Sequence, residues 1–122
     1  RTAVSACGLT TYRALIDAGA LNRHGIYYYV PGILRVAEAG EIVSLIAPRP
    51  FLSLNGEEDG ASPLEGLYRV HRDAGKIYRL LGARRHLARR TYPAGHEFTD
   101  AMLRDTLRWF ERRLRPEAFV AP

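Results

Sequence analysis

Asp59 and His96 are the two side chains in this sequence whose types and positions suit joint chemistry. Asp59 stands four residues past Phe51-Leu52-Ser53-Leu54-Asn55, and His96 four past the run at residues 87–92. Short apolar runs bounded by proline and glycine read as strands. Open parallel sheets gather their functional groups beyond the carboxyl ends of the strands. Two neighbouring parallel strands would thus deliver a carboxylate and an imidazole to one edge of a sheet. A carboxylate that orients an imidazole and stabilises its cation is what a serine or cysteine nucleophile needs behind it. Singly, neither residue points to function: Asp59-Gly60 is a turn dipeptide, and a lone loop histidine is ordinarily a surface residue. Their matched placement, with acid before histidine, favours chemistry.

The elements that position this pair follow from spacing. Thr2-Ala3-Val4-Ser5-Ala6-Cys7, closed by Gly8, reads as a short buried strand. Residues 9–50 give mixed signals: helical spacing over 10–20, a tyrosine-rich loop over 24–32, and helical spacing over 33–47 that Pro48 and Pro50 stop. After the second strand and a polar loop, Ser62 is placed to cap a helix, with Pro63 at its first position and Glu65 completing a capping box. Leu67, Val70, Ala74, Ile77 and Leu81 hold one face of that helix, and Gly82 supplies its stop. Arg89 and Arg90 interrupt the third strand, which suits an edge position. A last helix is expected from Thr99 to about Leu114, with Leu103, Leu107, Phe110 and Leu114 buried and Pro116 ending it. This order implies an α/β fold, a parallel sheet with flanking helices.

Composition removes several function classes. The chain has 122 residues, enough for one domain, and 47% hydrophobic with 25% charged residues excludes disorder. No apolar stretch approaches the ~20 residues of a membrane helix, so no membrane partner is expected. Cys7 is the sole cysteine, which rules out an internal disulfide and a thiolate-clustered zinc site. His24, His71, His86 and His96 are scattered without an H-E-x-x-H pair; neither metal nor cofactor is expected. The net charge of +5 is arginine-borne, with Lys76 the single lysine and Arg84, Arg85, Arg89 and Arg90 the densest group. No aromatic platform accompanies that group, so it reads as a solvated face and not as a nucleic-acid site. The chain opens on Arg1, so the lack of a targeting segment leaves its compartment open.

The run Ala47-Pro48-Arg49-Pro50-Phe51-Leu52-Ser53-Leu54-Asn55-Gly56-Glu57-Glu58-Asp59, followed by Pro63, resembles the acid-bearing strand and loop of dienelactone-hydrolase-like α/β-hydrolases. Tyr92-Pro93-Ala94-Gly95-His96-Glu97-Phe98 is similar to that family's histidine loop, and the helix with Leu107, Trp109 and Phe110 to its last helix. Ser5-Ala6-Cys7, Leu9-Thr10-Thr11-Tyr12 and Tyr29-Val30-Pro31-Gly32 look like segments of esterase-like branches. The resemblance implies an enzyme cleaving small-molecule esters or related acyl compounds, with Asp59 the orienting acid and His96 the general base, later the general acid. It further implies that residues 1–122 are the C-terminal portion of a single α/β-hydrolase domain, because no G-x-S-x-G or G-x-C-x-G elbow occurs in the chain. The chain alone is then expected to be inactive, with its nucleophile and oxyanion donors absent, and to self-associate.

Two further features have competing readings. Ser5-Ala6-Cys7-Gly8-Leu9 is a distorted echo of the elbow, but Ser5 and Leu9 stand where the tight turn wants glycine; a packed or lightly exposed thiol is the favoured reading of Cys7. Tyr27, Tyr28 and Tyr29 with His24 either line an acyl or sugar pocket or simply pack a long connection. At the level of the whole chain, a prolyl-oligopeptidase-type peptidase and a non-catalytic binding or assembly module are the alternatives. Glu97-Phe98 after His96 weighs against the peptidase.

Overall fold

The computed structural model describes residues 1–114, which form an α/β arrangement: a three-stranded parallel sheet in the order β1-β2-β3 with helices on both faces. The strands are β1 (Ala3–Ala6), β2 (Phe51–Gly56) and β3 (Leu87–Tyr92). In register, Ala6 pairs with Leu54, Leu54 with Arg90 and Gly56 with Tyr92. β2 is central and every residue of it is buried, which is why it reads as a continuous run instead of an alternation. Its side chains feed two cores. Phe51 packs with Val43, Val70 and Ala74 on one face; Leu52 and Leu54 pack with Met102, Val4 and Trp109 on the other. β3 is the edge that its arginines suggested, and Arg90 is paired there with Asp105 at 3.0 Å.

Four helices cover the sheet: α1 (Tyr12–Asp17), α2 (Ala39–Ser44), α3 (Leu64–Leu80) and α4 (Asp100–Arg113). The hydroxyl of Thr11 caps α1 by accepting from the Ala14 amide at 3.1 Å, and Thr99 caps α4 through Met102. Glu38 caps α2 in a capping box with Glu41, and its carboxylate also accepts from the amides of Tyr12 (2.9 Å) and Arg13 (3.1 Å). One anion thus serves two helix N-termini, where backbone dipoles favour negative charge. Gly82, in the left-handed region at φ 67°, follows α3 and lets the chain turn towards β3.

Several expectations need correction. Helical spacing over 10–20 shortens to α1, because Thr10 turns its hydroxyl to the Pro63 carbonyl (3.0 Å) and Gly19 leaves the helical region. Over 33–47 it splits into a single 3-10 turn, Ile33–Arg35, and α2, since the Glu38 cap restarts the helix. Ser62 does not cap α3: its hydroxyl donates to the Cys7 carbonyl at 3.2 Å, and Pro63 occupies the cap position. The buried face of α3 is Leu67, Val70, His71, Ala74 and Tyr78, while Ile77 and Leu81 are exposed. His71 and Tyr78 can be buried because Ser53 and the Arg49 carbonyl satisfy them, at 2.7 and 2.8 Å. In α4 the buried residue is Met102, with Trp109 and Phe110 half-buried; Leu103, Leu107 and Leu114 face outward. The Trp109 indole N–H donates to Thr2 Oγ1 at 2.8 Å, which fixes that rotation of the helix. Pro116 lies outside the described residues.

Candidate active site

The loops that follow β2 and β3 lie directly on one another. The Glu57 amide donates to the Tyr92 carbonyl at 2.8 Å and the Glu58 amide to the Ala94 carbonyl at 3.0 Å. Gly56, the last residue of β2, sits under the carbonyl oxygens of Ala94 and Gly95, where a side chain would overlap them. Only glycine admits that approach. The loops therefore arrive as one laced unit.

This lacing brings Asp59 and His96 together: Asp59 Oδ2 and His96 Nδ1 are 2.9 Å apart. The Asp59 side chain is fully buried and its other oxygen accepts from the Ala61 amide at 2.8 Å, so the carboxylate has one orientation. The His96 side chain is 59% exposed. A carboxylate at Nδ1 selects the tautomer with its proton there and leaves the Nε2 lone pair as the base. Nε2 has no hydrogen-bond partner among the described residues. An imidazole with a fixed anion at Nδ1 can take a proton at Nε2 from a hydroxyl or thiol and return it to a leaving group.

Cys7 follows β1 beside this pair and has φ 55°, the one non-glycine residue with positive φ among those described. Its thiol donates to the Glu97 carbonyl at 3.0 Å and touches the Met102 sulfur at 3.9 Å. Burial, and then the Asp59 charge, push its pKa up. Both effects favour the thiol over the thiolate that a nucleophile must be. Cys7 is a half-buried thiol next to the site.

Two rings of the tyrosine connection, Tyr28 and Tyr29, form a packed cluster with His24 and with Tyr12 of α1. His24 stacks on Tyr28 with centroids 4.1 Å apart, and Tyr28 meets Tyr12 and Tyr29 edge-on at 5.6 and 5.5 Å. Their polar ends go to backbone carbonyls: Tyr28 to Gly8, Tyr12 to Tyr28, Tyr29 to Leu21, His24 Nε2 to Ala61. Burial, with Tyr12, Tyr29 and Glu38 nearby, pushes the Tyr28 phenol up to about 12. Tyr29 and Tyr12 also line a cavity of about 170 Å³ with Ile16, Leu21 and Ile33. Tyr27 takes no part and is 87% exposed. His24 reaches the Asp59 loop through Ala61, so the cluster braces the acid.

Sequence reasoning missed a second serine–histidine contact, Ser53 Oγ to His71 Nε2 at 2.7 Å. Both side chains are buried between β2 and α3, and burial with the Arg89 charge lowers the His71 pKa to about 4. The available signal was a serine in an otherwise apolar strand and a histidine on the Leu67 face of a helix. Among the described residues no cluster of three or more His, Cys, Asp or Glu side chains is arranged to hold a metal, and no helix is long and apolar enough to cross a membrane.

The chain is 34% identical over 114 residues to a protein of Bacillus subtilis (strain 168) named "Putative hydrolase YtaP". The alignment takes in 93% of this chain and 38% of that relative's length. No protein-family model and no solved structure matches.

Proposed function

We propose that this chain is the acid- and base-bearing portion of an α/β-hydrolase that cleaves esters or related acyl compounds through a nucleophile–Asp59–His96 triad. The observation that carries the reading is the 2.9 Å contact between Asp59 and His96 at the carboxyl ends of neighbouring parallel strands. Similarity to a hydrolase supports it. His96 Nε2 takes the nucleophile's proton as it attacks the acyl carbon, and Asp59 stabilises the imidazolium that forms. The imidazolium then protonates the departing alkoxide, and a water activated in the same way releases the acid. The nucleophile elbow and the oxyanion donors come from chain beyond these 122 residues, which contain no G-x-S-x-G or G-x-C-x-G.

The test compares two polypeptides on p-nitrophenyl acetate. The 122-residue chain should be no faster than its own His96→Ala variant. The parent protein, with the segment that supplies the elbow, should turn over; Asp59→Asn should cost it about 10⁴ in kcat and His96→Ala on the order of 10⁶. Full activity of the parent's Asp59→Asn variant would remove the triad. Hydrolysis by the isolated chain that Cys7→Ser abolishes would move the nucleophile to Cys7.

A further inference from the structure

On the α3 side of β3, apart from Asp59 and His96, a cavity of about 150 Å³ opens between α3 and the edge strand. Arg79 from the last turn of α3, Arg84 from the following turn and Arg89 from β3 line it, with His71, Gly75 and Tyr78. Among the described residues no carboxylate lines it. Elsewhere on the surface, Arg69, Arg72, Arg90 and Arg108 each meet an acidic side chain within 4.0 Å; among the described residues, Arg79, Arg84 and Arg89 meet none. Three guanidinium groups gathered without a counter-charge repel one another unless an anion joins them. Arg89 is held in place by the Tyr68 ring, 5.1 Å from its guanidinium carbon. His71 turns Nε2 to Ser53, and its Nδ1 has no partner among the described residues.

We propose that this cavity binds a tetrahedral oxyanion, phosphate itself or the phosphate group of a small ligand. Guanidinium forks match phosphate oxygens in pairs, and three of them from different elements can close on one group. The volume is below the ~300 Å³ at which pockets enclose drug-sized ligands, so the site takes a head group and leaves any remainder in solvent. Gly75 supplies an open wall: a β-carbon there would stand 3.7 Å from Arg79 Nη1, ordinary contact. A carboxylate introduced at that position therefore reaches the arginines from within the chain.

Arginine modification by phenylglyoxal, mapped by peptide mass spectrometry, tests the site on the 122-residue chain in whatever assembly state it adopts. Inorganic phosphate and phosphoserine are titrated separately, against chloride at equal ionic strength. Saturable protection of Arg79, Arg84 and Arg89, with Arg104 on α4 unprotected, is the expected result. Gly75→Glu should raise the half-protecting phosphate concentration at least tenfold, and Arg104→Gln should leave it unchanged. Arg89→Gln should likewise weaken protection of Arg79 and Arg84, and a circular-dichroism melt shows whether each variant is folded. Phosphoserine protecting at tenfold lower concentration than phosphate identifies a phosphorylated ligand; equal potency identifies the free ion. Equal protection of all arginines, or no saturation, would reduce the effect to the net positive charge of the chain and overturn the proposal.

Discussion

Gly56 lies beneath Gly95 so closely that a β-carbon at position 56 would overlap the Gly95 carbonyl oxygen, and would stand 2.9 Å from the Ala94 carbonyl carbon. The obstruction is backbone, which cannot swing aside as a side-chain end would. Gly56→Ala must therefore lift the loop that carries His96 away from the loop that carries Asp59. The expected cost is about 1–3 kcal/mol of stability, as for overpacking, together with loss of the Asp59–His96 contact. Gly95→Ala is the control, since nothing lies within 4 Å of its β-carbon; it should stay within about 0.5 kcal/mol. Urea melts measure the first effect and the His96 ring resonances the second. Equal stabilities for the two variants would show that the loops are not locked at Gly56.

His71 makes stability depend on acid. Its pKa is about 4 in the folded chain, below the ordinary 6.5, so between those values the unfolded chain binds the proton more readily. The contribution of neutral His71 is fully present above about pH 6.5 and is lost as pH falls towards 4, at up to about 1.4 kcal/mol per pH unit. Asp73, whose carboxyl is lowered by its hydrogen bond to Arg72, adds its own loss of stability only at the acid end of this window and below it. Denaturant midpoints in a phosphate-free buffer between pH 4 and 7 should show the slope, and His71→Phe should flatten it. An unchanged slope in that variant would place the acid sensitivity elsewhere.

Cys7 should react slowly. Its thiol pKa is raised by burial and then by the Asp59 charge, and alkylation proceeds through the thiolate. Iodoacetamide at pH 7.5 is expected to modify native Cys7 several-fold more slowly than Cys7 in the urea-unfolded chain. Asp59→Asn, which removes the second cause, should recover part of that difference. A native rate equal to the unfolded one would mean that the sulfur is neither shielded nor held protonated.

The sheet and the loop pair were legible in the sequence because each rests on local signals. Phe51-Leu52-Ser53-Leu54 is a strand run buried on both faces, and Asp59 and His96 fall just beyond the ends of neighbouring strands, three residues past Gly56 and four past Tyr92. Helix faces were less legible. α4 carries two competing apolar stripes, and nothing local says that Met102 and Trp109 face the sheet while Leu103 and Leu107 face away. On α3, His71 and Tyr78 are polar by type and buried by virtue of partners 18 and 29 residues distant. Glu38 reads as a surface acid until the fold brings the start of α1 to it, 26 residues back along the chain. Long-range partners decided each of these cases.

Self-association of the 122-residue chain is the last expectation, and it follows from the open side of β1. Among the described residues β1 hydrogen-bonds to β2 alone, so its other edge presents backbone groups along Ala3-Val4-Ser5-Ala6 that no described strand pairs. No charged side chain interrupts that run, whereas β3 carries Arg89 and Arg90 on the opposite edge. An uncharged open edge is a template for a second strand. Large apolar side chains are also uncovered: Ile26 is 88% exposed and Val36 84%, with Leu45 and Leu80 similarly bare. We expect oligomers at micromolar concentration by size-exclusion chromatography with light scattering. Ala3→Lys, at an exposed position of β1, should shift the population towards monomer without lowering the midpoint of the melt by more than a few degrees. A monodisperse monomer with a sharp cooperative melt for the unmodified chain would show that the open edge is harmless and that these residues stand as a domain of their own.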